Sequence, residues 1–138
     1  MDDSPEDCES LRRMLGKLGF TNPVLFCTTG EQALDYLFRR GDYVEPQKSP
    51  LPGIILLDLN LPGVSGKDVL TQIKKSETLR RIPVIILTSS DRQVDIEECY
   101  RCGANSYIQK LANLDRFGYT LRTLKYFWFE QALIPEGL

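Results

Sequence analysis

The sequence contains no histidine among its 138 residues. The chain therefore supplies no imidazole to act as a general base, to activate a serine or cysteine nucleophile, or to bind a metal ion. Four cysteines are present, and two of them form a C-x-x-C pattern late in the chain. Because neither an export signal nor further metal ligands accompany this pattern, we expect reduced thiols at Cys8, Cys27, Cys99 and Cys102.

The sequence also lacks an excess of positive charge and a long apolar run. Its 17 lysine and arginine residues and 19 aspartate and glutamate residues give a net charge of −2, so we expect no nucleic-acid partner. No run approaches the ~20 apolar residues of a membrane span, and no signal peptide opens the chain. We therefore expect a cytoplasmic protein without a membrane partner, in which residues 1–138 form one globular domain.

Continuous apolar runs alternate with helical patterns along the chain. Such runs are typical of strands that are buried on both faces of a parallel sheet. They predict four strands, Val24–Cys27, Ile54–Leu57, Pro83–Leu87 and Ser106–Gln109. Apolar spacings of three and four residues predict helices that begin near Ser4 and Thr28, contain Val69 and Ile73, and span Val94–Cys102 and Leu114–Leu133. This order predicts an α/β fold, a doubly wound parallel sheet with helices on both faces.

The start of the second predicted helix carries a local signal. Thr28 and Glu31 have the spacing of a capping box, in which a threonine and the glutamate three residues later bind each other's backbone N–H groups. We therefore predict that this pair closes the first turn of a helix that ends near Arg40.

The residues at the ends of the predicted strands are candidates for a functional site, because ligands of doubly wound sheets bind beyond these carboxyl ends. These residues are Asp58, Thr88 and Lys110, and Asp2 and Asp3, just before the first helix, lie at the same edge if a strand precedes them. Clustered carboxylates need a divalent cation at neutral pH, and oxygen ligands favour Mg²⁺. Such a site can bind phosphoryl oxygens through Lys110 and the Thr88 hydroxyl, while Asp58 attacks phosphorus and becomes an acyl phosphate.

Four motifs follow one another along nearly the whole chain. They are Met1–Asp7 (MDDSPED), Ile54–Gly66 (IILLDLNLPGVSG), Val84–Ser89 (VIILTS) and Tyr107–Lys110 (YIQK). Together they resemble the receiver domains of response regulators in bacterial two-component signalling. The resemblance implies a flavodoxin-like receiver fold. It also implies that a histidine kinase phosphorylates Asp58 with Mg²⁺, that phosphorylation switches a protein-interaction surface, and that the chain is no enzyme beyond slow autodephosphorylation.

The resemblance implies a set of metal ligands. Asp3 would bind Mg²⁺ directly, Asp2 would be the more distant acid, and Asn60 would offer its backbone carbonyl beside Asp58. The residues alone leave simpler interpretations open. Asp2 and Asp3 could be solvated acids near a terminus, and Asp58 could end a strand and cap a turn.

The resemblance also implies roles in phosphate binding and switching. Thr88 would be the switch hydroxyl, Lys110 the phosphate-binding lysine, and Tyr107 an aromatic switch that moves inward on activation. Tyr107 could instead be an aromatic residue of the strand with a hydrated hydroxyl.

Two features depart from the family pattern. Only Met1 precedes Asp2, so the usual first strand is missing from this sequence. We expect either that the strand was trimmed from the sequence, or that a rearrangement or a partner's strand replaces it. Lys110 is followed by Leu111 where the family usually has proline, and we expect a trans bond because a cis bond without proline costs ~2.5–4 kcal/mol. The proline-rich loop Gly41–Gly53 and the aromatic last helix resemble the single-domain regulators of bacterial phytochromes, which makes such a kinase the implied partner.

The last predicted helix is apolar on two sides. One stripe has the spacing of a core face and contains Phe117, Leu121, Leu124 and Trp128. A second line contains Tyr119, Arg122, Tyr126, Phe129 and Leu133. Because a helix with two apolar sides needs two surfaces to pack against, we predict a symmetric homodimer through this helix. In the alternative, Phe127 and Phe129 cover the edge of a monomer. We expect no output domain after Leu138, and we therefore expect the signal to leave through this surface.

Three other functions compete with the phosphorylation switch. A non-phosphorylated adaptor or dimerisation module would keep the interface and have a degenerate acidic site. A phosphatase of the dehalogenase type would need a second aspartate two residues after the nucleophile, where this chain has Asn60. A flavin carrier would need a long Ser/Thr-rich phosphate loop after the first strand, which the sequence lacks.

Overall fold

The computed structural model describes residues 12–13, 16–17, 27–40, 52–61, 63–110 and 114–127. These ranges contain a parallel sheet of three strands in the order β1-β2-β3. The strands are β1 (Ile55–Leu57), β2 (Val84–Thr88) and β3 (Ser106–Gln109). The helices are α1 (Gly30–Leu37), α2 (Gly66–Lys75), α3 (Gln93–Arg101) and α4 (Leu114–Lys125), and a 3₁₀ turn spans Leu79–Arg81. The predicted alternation of strands and helices is confirmed over these ranges.

Strand β2 is the centre of this sheet, and all five of its residues are buried. Ile86 lies opposite Leu57 of β1 and Tyr107 of β3. Since the strands are parallel and in this register, the residues that follow β1 and β3 come to the same edge as Thr88, the last residue of β2. The predicted strand ended one residue earlier, and the difference arises because the N–H of Lys110 donates to the Thr88 carbonyl and prolongs the ladder.

Different helices cover the two faces of the sheet. Successive residues of a strand point to opposite faces, so Val84 and Ile86 lie in one apolar cluster and Ile85 and Leu87 in the other. Buried side chains of α1, α2 and α3 complete the first cluster, and two leucines of α4 complete the second. The sheet is therefore doubly wound, as the sequence predicts.

The predicted capping box at the start of α1 is wrong by one residue. Thr29 is the N-cap, with extended backbone angles (φ −131°, ψ 156°), and its side chain accepts from the N–H of Gln32 at 3.0 Å. The side-chain carbonyl of Gln32 accepts in turn from the N–H of Thr28 at 3.0 Å. Because the helix begins at Gly30, the residue at the third helical position is Gln32, and Glu31 has another partner.

Several predictions concern parts of the chain outside the described residues. These are the missing first strand, the start of the first helix near Ser4, residues 24–26 of the first predicted strand, most of the loop Gly41–Gly53, the Lys110–Leu111 bond and the end of the last helix beyond Phe127. Of the first predicted helix, residues 12–13 and 16–17 are described, and they are helical. Within the described part, no helix has both the length and the apolar composition of a membrane span. Cys27, Cys99 and Cys102 form no disulfide there, in agreement with the prediction for these three cysteines.

Candidate functional site

Asp58 follows β1 directly and is 7% exposed. Its Oδ1 accepts from the backbone N–H of Asn60 at 3.0 Å, and its Oδ2 lies 3.3 Å from the Nζ of Lys110. A buried carboxylate is stable only when charge and hydrogen bonds compensate its lost hydration, and these two contacts supply both. The buried aspartate and the lysine of the predicted site are therefore in contact.

Thr88 is completely buried at the same edge, and its hydroxyl oxygen has no hydrogen-bond partner among the described residues. A buried hydroxyl without a partner costs ~1–3 kcal/mol, so its presence calls for an explanation. Its backbone carbonyl accepts from the N–H of Lys110 at 2.6 Å, which ties the threonine to the lysine that contacts Asp58. This arrangement fits a hydroxyl that donates a hydrogen bond to an oxygen atom of a bound ligand.

The loop after Asp58 packs tightly against the start of α2. A Cβ atom added to Gly66 would lie 2.2 Å from the backbone carbonyl oxygen of Asp58 and 2.6 Å from the Cα of Leu59. The N–H of Gly66 also donates to the Leu59 carbonyl at 3.0 Å. No role for Gly66 was predicted from the sequence. The sequence did contain one indication of this close packing. Gly66 lies in the first turn of a helix, where the backbone conformation does not require a glycine.

Tyr107 reaches the loop after β2 from the neighbouring strand. Its hydroxyl donates to the Ser90 carbonyl at 2.9 Å, and its backbone N–H donates to the hydroxyl of Tyr100 at 3.1 Å. The side chain is half-buried, and this burial raises the pKa of the Tyr107 phenol above its ordinary value. The aromatic residue predicted as a switch therefore contacts the segment just after Thr88, and its movement stays a prediction.

An ionic network connects the same loop to α2. The Ser90 hydroxyl donates to Oδ2 of Asp95 at 2.6 Å, and the ammonium of Lys67 lies 2.8 Å from Asp95 Oδ1 and 2.6 Å from Glu98 Oε2. The hydrogen bond from Lys67 is the main cause that lowers the pKa of Asp95, and the Ser90 hydroxyl adds to it. Hydrogen bonds to Asp95 and Glu98 raise the pKa of Lys67. None of these contacts was predicted from the sequence.

Comparisons with known proteins identify the family. The family model described as the response regulator receiver domain matches residues 1–121. The chain belongs to the response-regulator receiver family. The response regulator Rcp1 of Synechocystis sp. is 33% identical to it over 137 residues, which cover 99% of this chain and 91% of Rcp1.

Solved structures of receiver domains resemble this one along almost its whole length. The phosphorylated cyanobacterial phytochrome response regulator RcpA has a TM-score of 0.92 and 34% identity, with 99% of this chain and 95% of that chain covered. The Mn²⁺-bound form of Rcp1 has a TM-score of 0.89 and 32% identity, with 98% of this chain and 95% of that chain covered. These similarities confirm the predicted flavodoxin-like receiver fold.

The predicted metal ligands are described only in part. Asp2 and Asp3 lie outside the described residues, and within the described part no three Asp, Glu, Cys or His side chains group together around a possible cation. Asp58 and the exposed Asn60 stand in one loop, joined by the hydrogen bond from the Asn60 N–H to the carboxylate. A carboxylate and a backbone carbonyl are oxygen donors of the kind that Mg²⁺ prefers, so this part of the receiver domain fits the predicted cation.

The predicted interface helix has one buried and one exposed side in its described part. Leu121 and Leu124 are buried against the sheet, as the core stripe predicts. Tyr119 is 70% exposed, Tyr126 is 57% exposed, and Arg122 is exposed as well. Phe129 and Leu133, the other members of the second line, lie outside the described residues, as do Trp128 and the side chain of Phe117.

Proposed function

We propose that this receiver domain is a phosphorylation switch in which Asp58 accepts a phosphoryl group from a histidine kinase with the help of Mg²⁺. One observation carries the proposal. The buried carboxylate of Asp58 lies against the Lys110 ammonium, at a sheet edge where the buried Thr88 hydroxyl has no partner among the described residues. The phosphorylated state of RcpA and the Mn²⁺-bound state of Rcp1 support the same chemistry in relatives.

Each of three described residues has a separate role in the proposed phosphoryl transfer. An oxygen of Asp58 attacks phosphorus, the bond from phosphorus to the donor's leaving group breaks, and an acyl phosphate forms. The attack removes the charge that Lys110 neutralises in the free protein, so the ammonium is released to bind a phosphoryl oxygen. The Thr88 hydroxyl donates to another phosphoryl oxygen and gains the partner that it lacks among the described residues.

Bound Mg²⁺ supplies positive charge that offsets the charge of the transferring phosphoryl group. The residues proposed to hold it are Asp58, the backbone carbonyl of Asn60, Asp3 and, at greater distance, Asp2. The protein acts as a phosphoacceptor that loses its phosphoryl group slowly, and it needs no turnover chemistry beyond this.

Intact-mass analysis after incubation with Mg²⁺ and acetyl phosphate tests this function. We expect one phosphoryl adduct on the wild type, and no adduct on Asp58→Asn or on the wild type in the presence of a chelator. Asp58→Asn keeps the shape of the side chain, so circular dichroism should show the same fold for both proteins. A folded wild-type protein that acquires no adduct would contradict the proposal and favour the adaptor without phosphorylation.

We further propose that the output is a homodimer formed through α4, with a phytochrome-type histidine kinase as the phosphoryl donor. The exposed Tyr119, Arg122 and Tyr126 support the interface, and Phe129 and Leu133 are proposed to extend it. The description of RcpA as a phytochrome response regulator supports the choice of kinase. The same proposal places the protein in the cytoplasm as one receiver domain over residues 1–138, with no nucleic-acid or membrane partner.

Sedimentation velocity tests the dimer, with and without phosphorylation. The double variant Tyr119→Ser/Tyr126→Ser should sediment as a monomer at concentrations where the wild type is dimeric. Thr123→Ala changes another residue of α4, outside the second line, and serves as the control. Sedimentation of the wild type as a monomer at high micromolar concentration, in both states, would refute the interface.

A further inference from the structure

Glu31 contacts the loop after β1 rather than the start of its own helix. Its Oε1 accepts from the backbone N–H of Val64 at 3.0 Å, across a separation of 33 residues in the chain. The capping role that the sequence predicts for Glu31 belongs to Gln32. The carboxylate is therefore available to connect α1 to the loop that lies between Asp58 and Gly66.

The close approach of α1 to this loop depends on two glycines. A Cβ atom added to Gly63, whose φ is +74°, would lie 2.4 Å and 2.5 Å from the two carboxylate oxygens of Glu31. A Cβ atom added to Gly30 would lie 2.2 Å from the carbonyl oxygen of Val64. Glu31 thus rests directly on the loop backbone, and a hydrogen bond to a charged acceptor holds it there.

The loop that Glu31 contacts also carries the residues proposed to bind the cation. Its first residue is Asp58, and the N–H of Asn60 donates to the Asp58 carboxylate. Its far end is fixed where Gly66 packs against the Asp58 carbonyl. Val64 lies between these two fixed points, so the hydrogen bond to Glu31 restrains the part of the loop that neither of them holds.

We propose that Glu31 is a positioning residue for the phosphorylation site. By holding the Val64 N–H, its carboxylate fixes the loop conformation in which the Asn60 carbonyl and the Asp58 carboxylate can bind one divalent cation. This inference rests on the proposed function. It assigns to Glu31 an effect on cation affinity, without contact to the cation or to the phosphoryl group.

The Mg²⁺ dependence of the initial phosphorylation rate, with acetyl phosphate as donor, tests the assignment. Glu31→Ala should raise the Mg²⁺ concentration for half-maximal rate by about 3- to 10-fold, less than the ~10–100-fold typical of groups that bond a metal ligand directly. The maximal rate at saturating Mg²⁺ should stay close to that of the wild type. Glu31→Gln keeps an acceptor oxygen for the Val64 N–H and should restore most of the affinity.

Two controls separate positioning from general effects. Glu77→Ala removes an exposed glutamate that lies beyond the end of α2, and it should leave the Mg²⁺ dependence unchanged. Thermal unfolding of each variant shows whether a change in affinity merely follows a loss of stability. An affinity loss in Glu31→Ala at nearly unchanged unfolding temperature, with recovery in Glu31→Gln, would support the inference.

Other outcomes would overturn it. If Glu31→Ala and the wild type need the same Mg²⁺ concentration for half-maximal rate, the hydrogen bond between Glu31 and Val64 does not affect cation binding. An equal defect in Glu31→Gln and Glu31→Ala would assign the effect to the charge of Glu31 and not to its hydrogen bond. If the wild type is not phosphorylated, the proposed function fails by itself. Mn²⁺ binding followed by electron paramagnetic resonance then compares the same variants, and equal affinities would also refute the positioning role.

Discussion

The loop after β1 and the loop after β2 leave the parallel sheet at the same edge, and different forces hold them. The β1 loop (residues 58–61 and 63–65 of the described part) is confined mainly by the close packing of Gly66 against the backbone of Asp58 and Leu59, with one added hydrogen bond from the Val64 N–H to Glu31. The β2 loop (residues 89–92) is held by hydrogen bonds and ion pairs that converge on Ser90 and Asp95. Steric confinement is insensitive to salt and pH, whereas contacts between partly exposed charges depend on both.

This difference matches what each loop must do in the proposed switch. The β1 loop carries the nucleophile, and phosphoryl transfer needs that oxygen in one place. The β2 loop follows Thr88, whose hydroxyl is proposed to gain a partner when the phosphoryl group arrives. Contacts worth a few tenths to ~2 kcal/mol each can be exchanged at that moment, while a packed glycine contact cannot be. The same sheet edge therefore combines a fixed side and an adjustable side.

The largest expected effect comes from breaking the confinement of the β1 loop with Gly66→Ala. The new Cβ would lie 2.2 Å from the Asp58 carbonyl oxygen, so the loop or the helix must shift. We expect a loss of ~2–3 kcal/mol in the free energy of unfolding, measured by urea denaturation, and a strong loss of labelling by acetyl phosphate. Gly118→Ala is the matched control, because a Cβ atom there meets nothing within 4 Å.

The control has its own expected sign. Gly118 lies within α4, where alanine is favoured over glycine, so Gly118→Ala should raise stability by ~0.5–1 kcal/mol and leave labelling unchanged. Wild-type stability and labelling in Gly66→Ala would show that the β1 loop can yield without cost, and the contrast between the two loops would disappear.

A smaller effect is expected from removing the charge that braces the β2 loop. Lys67→Met loses the ion pairs to Asp95 and Glu98, and because these groups are partly exposed we expect a loss of only ~1 kcal/mol at low ionic strength. Most of this loss should vanish near 1 M salt, where the Debye length is ~3 Å. Lys75→Met removes an exposed lysine of the same helix as a control. A loss that stays constant with salt would mean that packing, not charge, holds this loop.

The contacts of Asp95 with Lys67 and Ser90 should also depend on pH, because they lower the pKa of Asp95. A carboxylate with a lowered folded-state pKa stabilises the fold above the unfolded value of ~3.9, and this contribution is lost as pH falls through the folded value. The difference in unfolding free energy between wild type and Asp95→Asn should therefore be largest near neutral pH and shrink below about pH 4. In the Lys67→Met background the difference should be smaller at neutral pH, because the main cause of the lowered pKa of Asp95 is removed and the hydrogen bond from the Ser90 hydroxyl remains. A difference that grows on acidification would contradict the assigned sign.

The sequence predicted the fixed residues of this edge better than the contacts that hold them. Asp58, Thr88 and Lys110 could be found because uninterrupted apolar runs mark buried parallel strands, and the ends of such strands meet at one edge. The second line of α4 was found in the same way, from helical spacing, and its members Tyr119 and Tyr126 are exposed in the described part. Both inferences use periodicity within a single element.

The contacts that were missed join elements far apart in the chain. Glu31 stands three residues after a threonine, and only the backbone angles of Thr29 show that the helix begins one residue later. Its bond to Val64, and those of Lys67 to Asp95 and Glu98, span about 30 residues and depend on how the elements are placed after folding. The sequence around each charged residue does not identify its partner, because the chain contains many other charged residues that could pair with it equally well.

The smallest expected effect is that of Tyr107→Phe, which removes one bond to the β2 loop and leaves the ring in place. Ser90 is only half-buried, so we expect water to replace the lost hydroxyl at its carbonyl and the loss in urea denaturation to be ~0.5–1 kcal/mol. Labelling of Asp58 by acetyl phosphate should stay near the wild-type rate. Tyr119→Phe, at a 70% exposed position, should change neither quantity.

If Tyr107→Phe instead lowers the free energy of unfolding more than Lys67→Met does, the aromatic contact and not the ionic network is the main restraint on the β2 loop. The adjustable side of the site would then depend on burial of the Tyr107 ring and would respond little to salt.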